Sequence, residues 1–195
     1  MFKPTDIFCI CDFETTGVDC NLDYPIEVGV VFTDSNFILK DTVDELIMWD
    51  ELHKECSELN SEKLIWPSKY LDGYKYAHKI EAEEWLQNSK SVNYVAEKIY
   101  NICEKLRTKD CRLPIIVSDN AMFEYNFMKK LFDNSDFDFP FHYTAWGTNL
   151  LVESSKTSEY KPIHRAFPDC CDQYHMVMRM MERYNFFNEK LFYER

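Results

Sequence analysis

The stretch ICDFETTGVD, residues 10–19, continues an apolar run that begins at Ile7 and is typical of a buried strand. Asp12 and Glu14 lie two residues apart in it, and side chains two apart on a strand point to the same face. A strand that buries the apolar run therefore carries two carboxylates together at its end. Such a pair either binds a metal ion or begins a solvated polar turn, and this stretch alone leaves both open.

The bulk composition indicates one packed domain. With 195 residues, 46% of them hydrophobic and 16% aromatic, the chain is expected to form a single globular domain over residues 1–195. No apolar run approaches the ~18 residues of a membrane span, and the N-terminus lacks the basic-then-apolar order of a signal peptide. We therefore expect no membrane partner and a cytoplasmic location, in a cell or in a virus-infected host cell.

The eight cysteines are expected to be free and mostly buried, because no signal peptide accompanies them and no CxxC pair occurs. His53 and Cys56 lack a partner pair, which disfavours a structural zinc site. The net charge of −12 argues against a protein that coats duplex nucleic acid through broad phosphate neutralisation. An enzyme that grips a short strand or a chain end remains compatible with it.

Hydrophobic periodicity predicts a mixed α/β domain, in which one central sheet is flanked by helices. Three strands come first and suggest an antiparallel meander, and helices then alternate with strands. The middle, residues 48–88, is expected to hold short helices and loops. Strands are predicted over residues 7–13, 26–34, 37–47, 113–120 and 141–146, and helices over 91–106, 121–132, 147–155 and 169–185.

Two further segments carry acidic and basic groups at strand ends and helix starts, where α/β sheets gather their sites. SDNAMFEYNFM, residues 118–128, puts Asp119 at a strand end and Glu124 on the first turn of a helix. HRAFPDC, residues 164–170, puts His164 in a loop and Asp169 at the start of another helix. Together with the first pair, this set suits phosphodiester hydrolysis by two divalent metals, and a histidine beside them can accept a proton.

The order of these segments carries a resemblance to a known family. DFETTG, IEVGVVF, DNAMFE and HRAFPD resemble the DEDDh class of 3′–5′ exonucleases, which have the ribonuclease H-like fold. The class includes the proofreading subunit of bacterial replicases, ribonuclease T and oligoribonuclease, and the likeness covers about residues 6–182. It implies two Mg²⁺ or Mn²⁺ ions and five catalytic positions, four of them metal ligands and His164 the general base: Asp12, Glu14, Glu124, His164 and Asp169.

The second motif departs from the family pattern, because Glu124 stands where the class usually has Asp. Coronavirus proofreading exonucleases, which are similar to this class, also carry Glu there, so the change is compatible with activity. Asp119 is the competing ligand, since it lies at the strand tip where the family often has His. Its alternative role is that of a helix N-cap.

The resemblance also implies contacts with the terminal nucleotide. Thr15 and Thr16 follow the first motif and either hold that nucleotide or cap their own loop. His78, in AHKIEAEEW, either approaches the 3′-terminal sugar or is an ordinary loop histidine. Phe123 either stacks on a base or packs in the core. The full set of predicted substrate contacts is Phe13, Thr15, Thr16, His78, Asn120 and Phe123.

Two charged residues beside these motifs have open roles. Glu27 matches a recurring acidic position on the second strand of the family but serves equally to satisfy buried polar groups. Arg165 follows the proposed base and meets either a substrate phosphate or a neighbouring acid.

The expected function is a metal-dependent 3′–5′ exonuclease that acts on single-stranded 3′ ends of DNA or RNA and releases nucleoside 5′-monophosphates. Retention of all five acid and base positions favours an active enzyme. The alternatives are a catalytically inactive module that binds nucleic acid or protein, and a nuclease for very short oligonucleotides. Many members of the class are dimers, so the resemblance allows a homodimer.

Overall fold

The computed structural model describes residues 6–58, 82–107, 113–148 and 164–183. These ranges contain six strands and five helices. In chain order they are β1 Phe8–Thr15, β2 Pro25–Thr33, β3 Leu39–Met48, α1 Asp50–Glu58, α2 Ala82–Asn88, β4 Lys90–Ser91, α3 Val92–Leu106, β5 Ile115–Ser118, α4 Ala121–Asp133, β6 Trp146–Gly147 and α5 Ala166–Arg183.

The six strands form one mixed sheet in the order β4-β3-β2-β1-β5-β6. Strands β1, β2 and β3 pair as an antiparallel meander, whereas β5 lies parallel to β1 on the other side. The turn from β2 to β3 is closed by Asp34, whose Oδ1 accepts the backbone N–H groups of Asn36 and Ile38 at 2.9 and 3.0 Å. The mixed sheet and the opening meander confirm the sequence prediction.

Alternation along β1 builds two cores, one on each face of the sheet. Cys9, Cys11 and Phe13 lie in the larger core, which also holds the fully buried Trp85 and Phe127. Phe8 and Ile10 point to the opposite face, where they pack in a second core with Cys170, Val177 and Met181 of α5. We call this second side of the sheet the α5 face. Asp12 and Glu14 continue the series of Phe8 and Ile10, so they belong to the α5 face.

Helix α5 lies against β1 and β2, and Gly29 of β2 permits its close approach. A Cβ atom at Gly29 would lie 2.4 Å from the backbone oxygen of Ala166 and 2.5 Å from Cα of Phe167. Real Cβ atoms do not approach backbone atoms so closely, so any larger residue would push the start of α5 away from the sheet.

Most predicted elements agree with the structure to within two residues at each end, including β1, β2, β3, β5 and α4. Ser91 caps α3, since its Oγ accepts the Tyr94 N–H at 3.2 Å. Helix α5 begins at Ala166, three residues earlier than predicted. Pro168 is tolerated there because the first-turn N–H groups of a helix have no intrahelical partner.

The strand predicted over residues 141–146 is wrong except at its last residue, because only Trp146–Gly147 pairs with the sheet. Phe141, at the start of the predicted strand, is buried by packing against a helix instead. The rings of Phe139 and Phe141 meet that of Phe132 of α4 edge to face, with centroids 5.8 and 6.1 Å away. The helix predicted over residues 147–155 lies outside the described residues from residue 149 onwards.

Two predictions from composition concern the cysteines and the crossing of a membrane. The seven cysteines within the described ranges are free thiols, and five of them lie in the two cores of the sheet: Cys9, Cys11, Cys56, Cys103 and Cys170. Among the helices of these ranges, none combines the length and the apolar character that crossing a bilayer requires.

Candidate active site

The first two carboxylates lie side by side at the end of β1. Asp12 and Glu14 are both half-buried on the α5 face. The register of β1 with β2 sets Asp12 opposite Gly29 and Glu14 opposite Glu27. Since α5 lies directly on Gly29, the start of that helix is brought against the two carboxylates.

The start of α5 supplies an acid and a histidine. Oδ2 of Asp169 accepts the backbone N–H groups of His164 at 2.8 Å and Arg165 at 3.3 Å, which fixes the carboxylate at the helix terminus. His164 has the left-handed φ of 58°, and this turn leads the chain into the helix. Glu14, His164 and Asp169 each offer one ligand atom, and these atoms all lie within 4.8 Å of one another.

Glu124 adds a buried carboxylate from the first turn of α4. It is 3% exposed, and its Oε2 has no hydrogen-bond partner among the described residues. Asp119 is half-buried at the end of β5, and the Ser118 hydroxyl donates to its Oδ1 at 3.4 Å. The N-cap of α4 is Asn120, so the alternative role of Asp119 as the cap is wrong.

These carboxylates raise one another's pKa values. Burial raises the pKa of Asp12 well above its ordinary range, and the charges of Glu14 and Asp169 add to the effect. Burial, followed by the charge of Glu27, raises the pKa of Glu14 to about 8. The pKa of Glu124 is also raised well above its ordinary range, first by burial and then by the charge of Asp12. The site therefore disfavours its own ionised form when no cation is present.

A divalent cation fits this set of groups. Carboxylate oxygens are the ligands that hard cations such as Mg²⁺ prefer, and histidine nitrogen binds several transition metals. Oε2 of Glu124, which has no hydrogen-bond partner among the described residues, would bind the cation as a ligand. The positive charge of the cation would offset the concentrated negative charge of the carboxylates. The donor set therefore suits a metal centre built from β1, α4 and the start of α5.

Sequence reasoning missed one residue that touches these acids. Nε2 of Gln173 donates to Oδ1 of Asp12 at 3.1 Å, and Gln173 is 2% exposed. Gln173 follows Asp169 by four residues, so the helical period places both on the same side of α5. That spacing was the available signal.

The first two predicted nucleotide contacts have structural roles of their own. Phe13 is 5% exposed and its side chain lies in the larger core, on the opposite side of β1 from the acids. The Thr15 hydroxyl donates to the backbone oxygen of Gly17 at 2.6 Å. Its side chain therefore holds the loop after β1 in shape.

The side chains of the remaining predicted contacts differ in their exposure and in the bonds they already make. Oγ1 of Thr16 accepts the Tyr24 N–H at 2.9 Å, so this hydroxyl also closes the loop. Asn120 is exposed, and its side chain makes no capping bond to α4. Phe123 is half-buried against Phe127, with ring centroids 4.7 Å apart. His78 lies outside the described residues.

Arg165 meets a neighbouring acid, which answers one open question of the sequence. Its Nε and Nη2 each lie 2.9 Å from Oε1 of Glu27. Oε2 of Glu27 also accepts the backbone N–H of Ala166 at 2.9 Å. Glu27 thus satisfies buried polar groups at the start of α5.

A cavity of about 560 Å³ lies elsewhere, between the loop after β1, the start of α1 and the outer side of α4. Tyr24, Trp49 and Lys130 line it, and none of the predicted site residues does.

Comparison with known proteins yields weak sequence relatives. No family model matches the chain. The 3′–5′ exonuclease DinG of Staphylococcus epidermidis is 30% identical over 133 residues, which is 68% of this chain and 12% of the relative. DinG of Staphylococcus aureus strain MRSA252 is also 30% identical over the same share of each chain. The match therefore spans about an eighth of the length of these curated relatives.

Solved structures of an exonuclease share the fold. The zinc-bound E. coli exonuclease I complex with single-stranded DNA has a TM-score of 0.62 at 13% identity, over 91% of this chain and 41% of that one. E. coli exonuclease I with a 5cy-dT13 oligonucleotide has a TM-score of 0.61 at 14% identity, over 96% and 43%. The predicted ribonuclease H-like exonuclease fold is confirmed, and so is the resemblance to 3′–5′ exonucleases.

Proposed function

We propose that this chain is a metal-dependent exonuclease that hydrolyses phosphodiester bonds from the 3′ end of single-stranded nucleic acid. The observation that carries the proposal is the convergence of Glu14, His164 and Asp169 within 4.8 Å at the end of β1. The raised pKa values of Asp12 and Glu124 add two more carboxylates to the same electrostatic cluster. Structural acids are seldom buried together without cations, so the arrangement favours a catalytic centre.

The proposed metal ligands are the four carboxylates Asp12, Glu14, Glu124 and Asp169. Two Mg²⁺ or Mn²⁺ ions held by them would activate a water molecule and stabilise the leaving 3′ oxygen. The chain's own task is to hold these oxygens in place before any ion arrives. Gln173 does this for Asp12, and the amide groups of residues 164 and 165 do it for Asp169.

His164 is the proposed general base. Its ring lies beside Glu14 and Asp169, so it is close to any water that these carboxylates orient. The ordinary pKa of histidine is near working pH, which suits a group that must accept a proton and release it again.

Single-stranded DNA is the substrate that the similarity to the exonuclease I complexes supports best, and RNA ends are the alternative. The products would be nucleoside 5′-monophosphates. Asn120 and Phe123 are the proposed substrate contacts with accessible side chains, whereas Thr15 and Thr16 would contribute mainly by shaping the loop. Contact of His78 with the substrate stays a proposal from the sequence. So do the organisation of the chain as a single domain and its assembly as a homodimer.

The decisive experiment follows single-stranded DNA and RNA labelled at either end, with Mg²⁺, Mn²⁺ or a chelator. We expect the 3′ label to leave at once as a mononucleotide, while the 5′-labelled strand shortens stepwise. Asp12→Asn should abolish release because a ligand is lost. His164→Ala should lower turnover ~10²–10⁴-fold, the usual contribution of a general base.

The matched control is Asp133→Asn, which neutralises an exposed carboxylate that pairs with Lys129 outside the site. It should hydrolyse at the wild-type rate. Release of the 5′ label first, or full activity of Asp12→Asn, would contradict the proposal. Tight binding of 3′ ends in Mg²⁺ or Mn²⁺ without release of any mononucleotide would identify an inactive binding module instead.

A further inference from the structure

Glu27 is a buried charged residue that the proposed chemistry does not use directly. It lies on β2 with its side chain 1% exposed, and it faces Arg165 at the start of α5. Nε of Arg165 lies 2.9 and 3.2 Å from the two oxygens of Glu27, and Nη2 lies 2.9 Å from Oε1. A forked pair of this kind fixes direction as well as distance.

The same carboxylate also binds the backbone. Oε2 of Glu27 accepts the N–H of Ala166 at 2.9 Å, while Oδ2 of Asp169 accepts those of His164 and Arg165. Three successive N–H groups at the start of α5 are thus taken by two carboxylates. One of these carboxylates is a proposed metal ligand, and the other is Glu27.

The turn at His164 needs contacts from outside itself to stabilise its backbone conformation. His164 has a φ of 58°, a left-handed conformation that residues with a Cβ adopt only when their surroundings impose it. Glu27 can impose it because β2 lies inside the sheet, between β1 and β3. The register partner of Glu27 on β1 is Glu14, so the contacts that Glu27 makes with the turn lie next to a proposed metal ligand.

Arg165 has a second carboxylate within reach. Its Nη1 lies 3.4 Å from Oε1 of Glu84 on α2, and the charge of Asp44 on β3 also acts on it. With its guanidinium engaged by acids of the protein, Arg165 is already satisfied without a substrate phosphate. The contacts therefore favour a role within the protein.

We infer that Glu27 and Arg165 form a clamp that positions His164 and Asp169 against Glu14. Glu27 is then a positioning residue, since it acts on the reacting groups through Arg165 and Ala166. This inference rests on the proposed function, because positioning has a kinetic meaning only if the site hydrolyses its substrate.

The test compares Glu27→Gln, Arg165→Lys and Arg165→Met with wild type in steady-state kinetics on single-stranded DNA and in Mn²⁺ binding followed by electron paramagnetic resonance. We expect kcat and Mn²⁺ affinity to fall ~10–100-fold in all three, the usual effect of losing a group that orients a metal ligand. KM should change by less than about threefold, since no substrate contact is lost. Lysine should rescue little, because an ammonium group cannot make the forked pair.

The matched control is Glu45→Gln, which breaks another partly buried ion pair between a strand and a helix, that of Glu45 with Lys98. It should leave kcat and Mn²⁺ affinity unchanged. Circular dichroism at the assay temperature checks that each variant is folded. If Glu27→Gln does not fold, the two Arg165 variants, which change a partly exposed side chain, decide the question.

Three outcomes would overturn the clamp. Folded variants at Glu27 and Arg165 with wild-type kcat and Mn²⁺ affinity would show a purely structural pair. An Arg165→Lys protein with normal kcat and Mn²⁺ affinity would show that charge alone matters. A raised KM with normal kcat in the Arg165 variants would identify a substrate contact. If wild type binds Mn²⁺ but hydrolyses nothing, the proposed function fails, and weaker Mn²⁺ binding by Glu27→Gln would still support the clamp.

Discussion

At the scale of single residues, the glutamate at position 124 raises the sharpest chemical question. The resembled family usually has aspartate there, and the additional methylene lets the carboxylate reach farther from the first turn of α4. Glu124 is 3% exposed and its Oε2 lacks a hydrogen-bond partner among the described residues, whereas Asp119 is half-buried and bonded to Ser118. Burial of an unsatisfied carboxylate is costly, which suits a metal ligand better than a structural acid.

Glu124→Gln and Asp119→Asn should therefore differ in single-stranded DNA hydrolysis. We expect Glu124→Gln to lower kcat more than ~100-fold, since even indirect partners of a metal cost ~10–100-fold. The kcat of Asp119→Asn should stay within about tenfold of wild type, because Asp119 is expected to influence Glu124 through its charge and not to bind the metal. The measurement is kcat at saturating Mn²⁺. The opposite ranking of the two variants would make Asp119 the ligand of the second motif.

At the scale of elements, the contact between β2 and the start of α5 brings the two halves of the site together. The acids of β1 and Asp169 of α5 are separated by about 150 residues of sequence, and Gly29 on β2 is a position where the sheet and α5 lie close together on the α5 face. A Cβ at this position would meet backbone atoms of Ala166, which cannot move aside as a side chain can.

Gly29→Ala should therefore destabilise the protein by about 1–3 kcal/mol, the usual cost of overpacking, and weaken Mn²⁺ binding by displacing Asp169. Urea unfolding and Mn²⁺ titration measure the two effects. Gly17→Ala is the control, because its Cβ would meet the side-chain carboxylate of Asp23 rather than backbone. Equal stability losses in the two variants, with Mn²⁺ binding unchanged, would contradict the role of Gly29.

Much at this scale could be predicted from the sequence, because strands and helices are encoded by patterns among neighbouring residues. The apolar run before Asp12 and the alternation of β1 are short-range patterns, so the strand and the shared face of its two acids were predictable. The contact of Glu27 with Arg165 joins residues 138 apart, and no periodicity encodes it. The same holds for Gly29 against Ala166, and the left-handed turn at His164 follows from those contacts.

At the scale of the whole molecule, the chain is acidic, with a net charge of −12. A protein with this excess of negative charge is expected to neutralise few phosphates at once, so its grip on a strand should be confined to the neighbourhood of the metal site. This charge balance favours recognition of chain ends and of very short oligonucleotides over tracking along a polymer.

The dependence of binding on salt and on strand length tests this. With the inactive Asp12→Asn protein or with Ca²⁺ in place of Mg²⁺, log Kd for single-stranded DNA should rise with log salt by no more than about 2, as for two or three phosphates. Strands of three and of twenty nucleotides should have KM values within about fivefold. A steep salt slope together with a large gain from length would reveal an extended binding surface.

The two faces of β1 also limit how the gene can change over evolutionary time. Along FCICDFET the thiols and rings of one core alternate with the residues that lead to the two acids. Deleting or inserting a single codon before Asp12 would turn both carboxylates into the thiol-lined core and place cysteines on the α5 face. Substitutions outside the two acids can accumulate in this strand one at a time, but a change in its number of residues would shift the register. Descendants of this sequence should therefore vary at the other six positions and not in the length of the strand.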